Sequence, residues 1–167
     1  GKTSTKEMIA SVLSQKYNVL KTAGNFNNEI GLPLTIFNIR EEHDVAVLEM
    51  GISDFGEMHR LAKMARPDIC VITNIGLCHL ENLIDRDGIL KAKTEMFDHM
   101  KEGGIAILNG DDDKLSTKTH VNGRDTVFYG FDKEAKQDDV GIYMTEKSIY
   151  ATDVTNLGFE GMEAVIH

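Results

Sequence analysis
Basic residues are in short supply in this sequence: 18 Lys and Arg stand against 27 Asp and Glu, for a net charge of −9 at pH 7. No broad cationic surface can form, which excludes a nucleic-acid backbone as partner. Any anionic ligand has to be met by local N–H groups, a few cations or a metal. Cysteine is scarce as well. Cys70 and Cys78 make no disulfide framework and fit a reducing compartment, so a cytoplasmic location is expected. Cys70 sits in an apolar run and reads as core, and Cys78 reads as an incidental neighbour of His79. No apolar run approaches the ~18 residues of a membrane span, and no signal-peptide or lipidation pattern is visible, so membrane insertion is not expected. Internal repeats, low-complexity tracts and a flexible interdomain linker are also lacking.

What is present begins at the first residue. Gly1-Lys2-Thr3-Ser4 opening a helix is the back half of a phosphate-binding loop, G-x-x-x-x-G-K-[ST]. In that motif backbone N–H groups and a helix N-terminus hold a phosphate chain, the Lys reaches the β/γ-phosphates, and the hydroxyl ligates Mg²⁺. The tripeptide alone is equally a helix start capped by Thr or Ser, and the rest of the chain has to decide.

The 167 residues suffice for one sizeable core. Apolar spacing predicts a helix from Thr3 to about Lys16 with Met8, Ile9, Val12 and Leu13 on one face. Further helices are expected near Pro33, over 56–65 ending before Pro67, over 87–100 and, as a short one, over 112–119. Strands are expected at 19–22, 45–50, 69–73, 105–108 and 126–131. The run Val45 to Met50 predicts burial on both faces, as in a parallel sheet. Segments 74–86 and 109–113 read as loops. After Asp132, segments 141–153 and 158–167 look like two antiparallel strands. The fold class is therefore α/β: a three-layer P-loop-type domain with a mainly parallel sheet flanked by helices, plus a small antiparallel region near the C-terminus. Residues 1–131 form the parallel core and 132–167 a β-rich extension of one domain.

Ligands of an open parallel sheet bind outside the C-terminal strand ends. Glu49, Asn74 and Asn109 close or follow strands, and His79 lies in the loop after one. Each has a plain structural reading as a cap, turn or surface residue; their convergence on one edge favours function. Lys93 lies four residues from Ile89 and from Phe97, bordering the inward helix face, while Lys91 points elsewhere. Its amine either snorkels to solvent or sits at a polar site where it can be modified. Asn25, Asn27 and Asn28 crowd one loop with donors and acceptors suited to a polar ligand.

Together, GKTSTKEM, KTAGNFNNEIGLPLT, VLEMG, ARPDICVITNIG, CHLENL, KAKTEMF and the Asn109-Gly-Asp-Asp loop resemble the central ATP-binding domain of the Mur ligases. They span most of residues 1–113. The Asn-rich stretch is similar to that of the members that add D-alanyl-D-alanine to UDP-N-acetylmuramoyl-tripeptide.

The resemblance implies an ATP-dependent peptide ligase of cell-wall peptidoglycan precursor synthesis that works through an acyl phosphate, with ATP and Mg²⁺ as cofactors. It assigns Gly1, Lys2, Thr3 and Ser4 to the phosphates, with Thr3, Glu49 and His79 as metal ligands. Lys93 becomes a metal ligand if it is carbamylated. Lys2, His79 and Lys93 are the catalytic candidates. Asn74 and Asn109 are placed on the nucleotide side, and Asn25, Asn27 and Asn28 on the UDP-muramoyl substrate.

The family's N-terminal UDP-binding and C-terminal domains have no counterpart here. The chain is thus expected to be a truncated central domain, inactive alone, whose parent is a monomer. Two alternatives remain: a folylpolyglutamate synthase-like ligase, which the Asn-rich loop argues against, and a P-loop switch ATPase, which usually carries a metal-linked Asp at a strand end.

Overall fold
A computed structural model describes residues 1–77, 80–133, 137–138, 141–142 and 145–167. The chain divides into two compact units, one from Gly1–Pro67 and Cys78–Lys101, the other from Asp68–Leu77 and Glu102–His167.

The first unit contains α1 (Lys2–Leu13), β1 (Val19–Lys21), α2 (Gly31–Ile36), β2 (Val45–Val47), α3 (Glu57–Ala65), α4 (Leu80–Leu83) and α5 (Arg86–Thr94), which runs into a 3-10 turn at Glu95–His99. β1 and β2 pair in parallel, Val19 opposite Val45. Leu32, Met58, Leu61, Ala62, Leu83, Ile89, Ala92, Met96 and Phe97 supply its core, each large side chain contributing about 1.5–3 kcal/mol by leaving water. α3 stops where expected, with Arg66 left-handed at φ 46° ahead of Pro67. Gly56, at φ 77°, starts it in a conformation that suits glycine.

Several expectations change in this unit. α1 does not bury Met8 and Val12, which are 70% and 71% exposed; it buries Lys6 and Ala10. The face toward the strands takes a small residue and a lysine stem rather than the bulkiest apolar side chains. β2 is half-buried rather than sealed on both faces, because β1 is the strand paired with it among the described residues. α2 begins at Gly31, two residues before Pro33, since Asn28 Oδ1 accepts the N–H groups of Ile30 and Gly31 at 3.1 and 2.9 Å. The helix expected to reach Met100 tightens after Thr94, whose hydroxyl bonds back to Leu90 O at 2.9 Å and Lys91 O at 3.1 Å. α4 occupies part of the segment read as loop.

The second unit holds β3 (Ile69–Ile72), β4 (Ile105–Asn109), β5 (His120–Val121), β6 (Arg124–Asp125), β7 (Val127–Phe131), β8 (Gln137–Asp138), β9 (Gly141–Ile142), β10 (Ile149–Asn156) and β11 (Met162–Ile166). Five of these form one sheet in the order β11-β10-β7-β4-β3. β3, β4, β7 and β10 are parallel neighbours and β11 closes the edge antiparallel. This is the mainly parallel sheet with an antiparallel margin that the sequence predicts, although β10 starts at Ile149 and β9 pairs separately with β8. The helix expected within 112–119 is a 3-10 turn at Leu115–Thr117. β5 and β6 form a hairpin that the sequence reading passed over. Its turn is Asn122-Gly123, both left-handed at φ 51° and 77°, an Asn-Gly signal of this turn type.

Candidate functional site
α1 starts on Gly1 with no side-chain cap and no acidic residue in its first turn. The Thr/Ser cap of the plain reading does not form, and the first N–H groups are available to water or an anion. Gly1, Lys2, Thr3 and Ser4 are exposed. Gly1 O accepts from Thr5 N at 3.1 Å and Thr5 Oγ1 at 3.2 Å, which locks the first turn.

Glu49 lies just past β2 and is 5% exposed. Its Oε1 accepts from Thr3 Oγ1 at 3.2 Å and from Asn27 Nδ2 at 3.0 Å. Its Oε2 is buried with no hydrogen-bond partner. An unmet buried acceptor costs about 1–3 kcal/mol, more for a charged group, and such an atom calls for an explanation, an ion among them. A carboxylate oxygen aimed at nothing, beside a threonine hydroxyl, suits a hard divalent cation. Among the described residues no three His, Cys, Asp or Glu side chains gather into a metal-holding group. Mg²⁺ needs no such cage when substrate phosphates and water complete its shell.

The Asn-rich loop is tied to this carboxylate. Besides the Nδ2 contact, Asn27 O accepts from Gly51 N at 2.7 Å. Asn28 spends its Oδ1 on the start of α2, and Asn25 is exposed. Glu29 accepts from Arg60 Nε and Nη2, a bidentate pair along one edge of the guanidinium. That hydrogen bond holds the Glu29 carboxyl below the usual range and raises Arg60. Lys93 is half-buried on α5, whereas Lys91 is exposed, its ammonium 5.9 Å from the Phe55 ring centre. His79 and Cys78 lie outside the described residues.

In the second unit, Asn74 is exposed after β3. Asn109 ends β4, where its Nδ2 donates to Thr73 O at 3.1 Å and its Oδ1 accepts from Asp111 N at 3.0 Å. Asp112 accepts from Ile75 N at 2.7 Å and from Lys114 N and Leu115 N at 3.0 Å each. Asp111 accepts from Phe131 N at 2.6 Å and pairs at 2.8 Å with Lys147, whose side chain is fully buried. Burial, then Asp111 and Asp112, push the Tyr129 hydroxyl above its ordinary range.

The structure thus brings Thr3, Asn27 and Glu49 together. Sequence reasoning missed Lys6 and Thr22, which support Glu49, and Glu95, whose carboxylate accepts from Gly56 N at 2.9 Å and His59 N at 3.3 Å. For Lys6 the signal was its place one turn after Thr3; for Glu95 no local signal exists, because its partners lie 36 and 39 residues away.

Residues 1–165 match the family model described as the Mur ligase middle domain. The UDP-N-acetylmuramoyl-tripeptide–D-alanyl-D-alanine ligase of Bacillus subtilis is 44% identical over 158 residues, 91% of this chain and 34% of that protein. The ligase of the same name from Escherichia coli is 42% identical over 125 residues, 74% of this chain and 28% of that protein. A crystal structure of MurF from Acinetobacter baumannii matches at TM-score 0.80 and 31% identity, covering 99% of this chain and 36% of that one. The MurF ligase of Thermotoga maritima in complex with ADP matches at 0.77 and 33%, covering 99% and 38%. The chain spans about a third of the length of the curated relatives it matches.

Proposed function
Because the chain belongs to the Mur ligase family through its middle domain, we propose that it is the nucleotide- and metal-binding part of an ATP-dependent ligase that joins D-alanyl-D-alanine to UDP-N-acetylmuramoyl-tripeptide. The observation that carries the reading is the buried, unpartnered Oε2 of Glu49 beside Thr3. The folylpolyglutamate synthase and switch-ATPase alternatives have no comparable support.

In this reading Thr3 and Glu49 hold Mg²⁺, with His79 and a carbamylated Lys93 as further ligands assigned by resemblance. When bound, the metal offsets the charge that otherwise keeps phosphate and carboxylate apart. Lys2 and the free N–H groups of Gly1–Ser4 hold the phosphate chain, and Lys2 neutralises charge as the γ-phosphoryl group leaves for the substrate carboxylate. The dipeptide amine then attacks the carbonyl carbon of the acyl phosphate; the amide C–N bond forms, the bond from carbon to the phosphate oxygen breaks, and the amine's proton and inorganic phosphate leave. Asn27 orients Glu49, so the loop that meets the UDP-muramoyl substrate also fixes the metal-facing carboxylate. Asn25 and Asn28 belong to the substrate side, and Asn74 and Asn109 to the nucleotide side, on the strength of the resemblance. The ligase of this reading works in the cytoplasm; no helix of the described residues is long and apolar enough to cross a membrane.

Phosphate release by the full-length gene product is the test. It should require UDP-muramoyl-tripeptide and D-Ala-D-Ala together; full-rate release without dipeptide, or none with both, rejects the reading.

A further inference from the structure
Lysine is almost never buried unless it is paired, yet Lys6 is 5% exposed. Its ammonium donates to Thr22 O at 2.6 Å and pairs with Glu7 Oε1 at 2.9 Å. Thr22 is completely buried at the end of β1. All three of its polar groups are engaged: its N–H donates to Val47 O at 3.0 Å, its Oγ1 accepts from Glu49 N at 2.9 Å, and its carbonyl takes Lys6. Thr22 is therefore the junction of β1, the end of β2 and α1. Lys6 lies one helical turn after Thr3, so the bond that holds Thr22 also sets where α1 stands against Glu49. An apolar side chain of similar size would fill the same space at little or no loss of stability. What it would lack is a directional hold on the residue that carries the Glu49 backbone.

We propose that Lys6 is a positioning residue for the metal site, acting through Thr22 to fix the Glu49 carboxylate opposite Thr3. Its ammonium is turned to the Thr22 carbonyl and takes no part in holding phosphate. The inference rests on the reading of Thr3 and Glu49 as metal ligands.

The probe is Mn²⁺, titrated in the presence of ADP and followed by electron paramagnetic resonance on the full-length gene product. Lys6→Met keeps the stem and removes the charge; Thr22→Val keeps the shape and the carbonyl and removes the acceptor for Glu49 N. Each should raise the Mn²⁺ Kd on the order of ten-fold, the effect typical of removing a group that orients a metal ligand. The double variant should be no worse than either single one, because both cut the same connection. Lys6→Arg should restore part of the affinity, and metal-free ADP binding should stay unchanged in all four proteins. Unaltered Mn²⁺ affinity in a Lys6→Met protein with a lowered melting temperature makes Lys6 merely structural and overturns the proposal, as does strict additivity. Should Lys6→Met not fold, normal Mn²⁺ affinity in Thr22→Val overturns it equally. Wild-type protein that binds ADP but no Mn²⁺ overturns the metal reading beneath it, an outcome distinct from the others.

Discussion
Replacing Gly31 with alanine should pull the Asn-rich loop away from the strand end it serves. The added Cβ would stand 2.3 Å from Phe26 Cα and 2.7 Å from both its carbonyl carbon and its Cβ. Carbon atoms rest at about 3.5–4.0 Å, so the backbone at Phe26 has to retreat by roughly 1 Å. It is not free to do so. Phe26 N–H bonds to Ala23 O at 3.1 Å, and the next residue, Asn27, is held by Gly51 N at 2.7 Å and by Glu49 at 3.0 Å. Overpacking costs roughly 1–3 kcal/mol, and each of the strained hydrogen bonds adds about 0.5–1.5 kcal/mol when lost. The helix-propensity gain of alanine over glycine, at most about 1 kcal/mol, works against this and is smaller. A net loss of about 3 kcal/mol lowers the melting temperature by roughly 6–12 °C in a chain of this size. Calorimetry of both proteins, with hydrogen exchange at the Gly51 amide, reads the two consequences. A shift under about 2 °C with the Gly51 amide still protected would refute the steric argument.

Cys70 is 2% exposed and burial pushes its thiol up to about 12. An unfolded thiol ionises near 8.5, so above that pH the unfolded state binds fewer protons. The thiol's contribution is complete below it and is lost as pH rises toward 12, by about 1.4 kcal/mol per pH unit. Urea unfolding of wild type against Cys70→Val should show this extra loss in alkaline buffers, and parallel pH profiles would reject it. Lys93→Ala should abolish phosphate release in the full-length gene product, with partial recovery on adding short-chain carboxylates; undiminished turnover rejects a carbamate at Lys93.

Where chemistry is local, the sequence was a good guide. Pro67 stops α3, alternating strands and helices announce the parallel sheet, and a carboxylate closing an apolar run marks Glu49. Helical spacing also separates half-buried Lys93 from exposed Lys91. Where tertiary contacts override pattern, it failed. Apolar periodicity turned α1 inward through Met8 and Val12 because a lysine that bonds a carbonyl 16 residues away has no signature in a hydropathy pattern. The shortened α5 was visible in principle, since Thr94 can bond back to its own helix, but only the structure shows that it does. The unpartnered oxygen of Glu49 was not legible at all: it depends on how Thr3, Thr22 and Asn27, distant in sequence, meet around that side chain.

The cap that Glu95 places on α3 has a consequence for the order in which the molecule can be made. α3 emerges from the ribosome before β3, and β3 belongs to the other unit. The carboxylate that takes up the Gly56 and His59 N–H groups at the start of α3, and the turn and helix that pack against α3, follow only at residues 86–99. At synthesis rates of roughly 5–20 residues per second, α3 waits on the order of seconds for these partners. Until then α3 lacks both this carboxylate and the elements packed against the helix, so its hydrogen bonding and burial can be completed only once residue 99 has emerged.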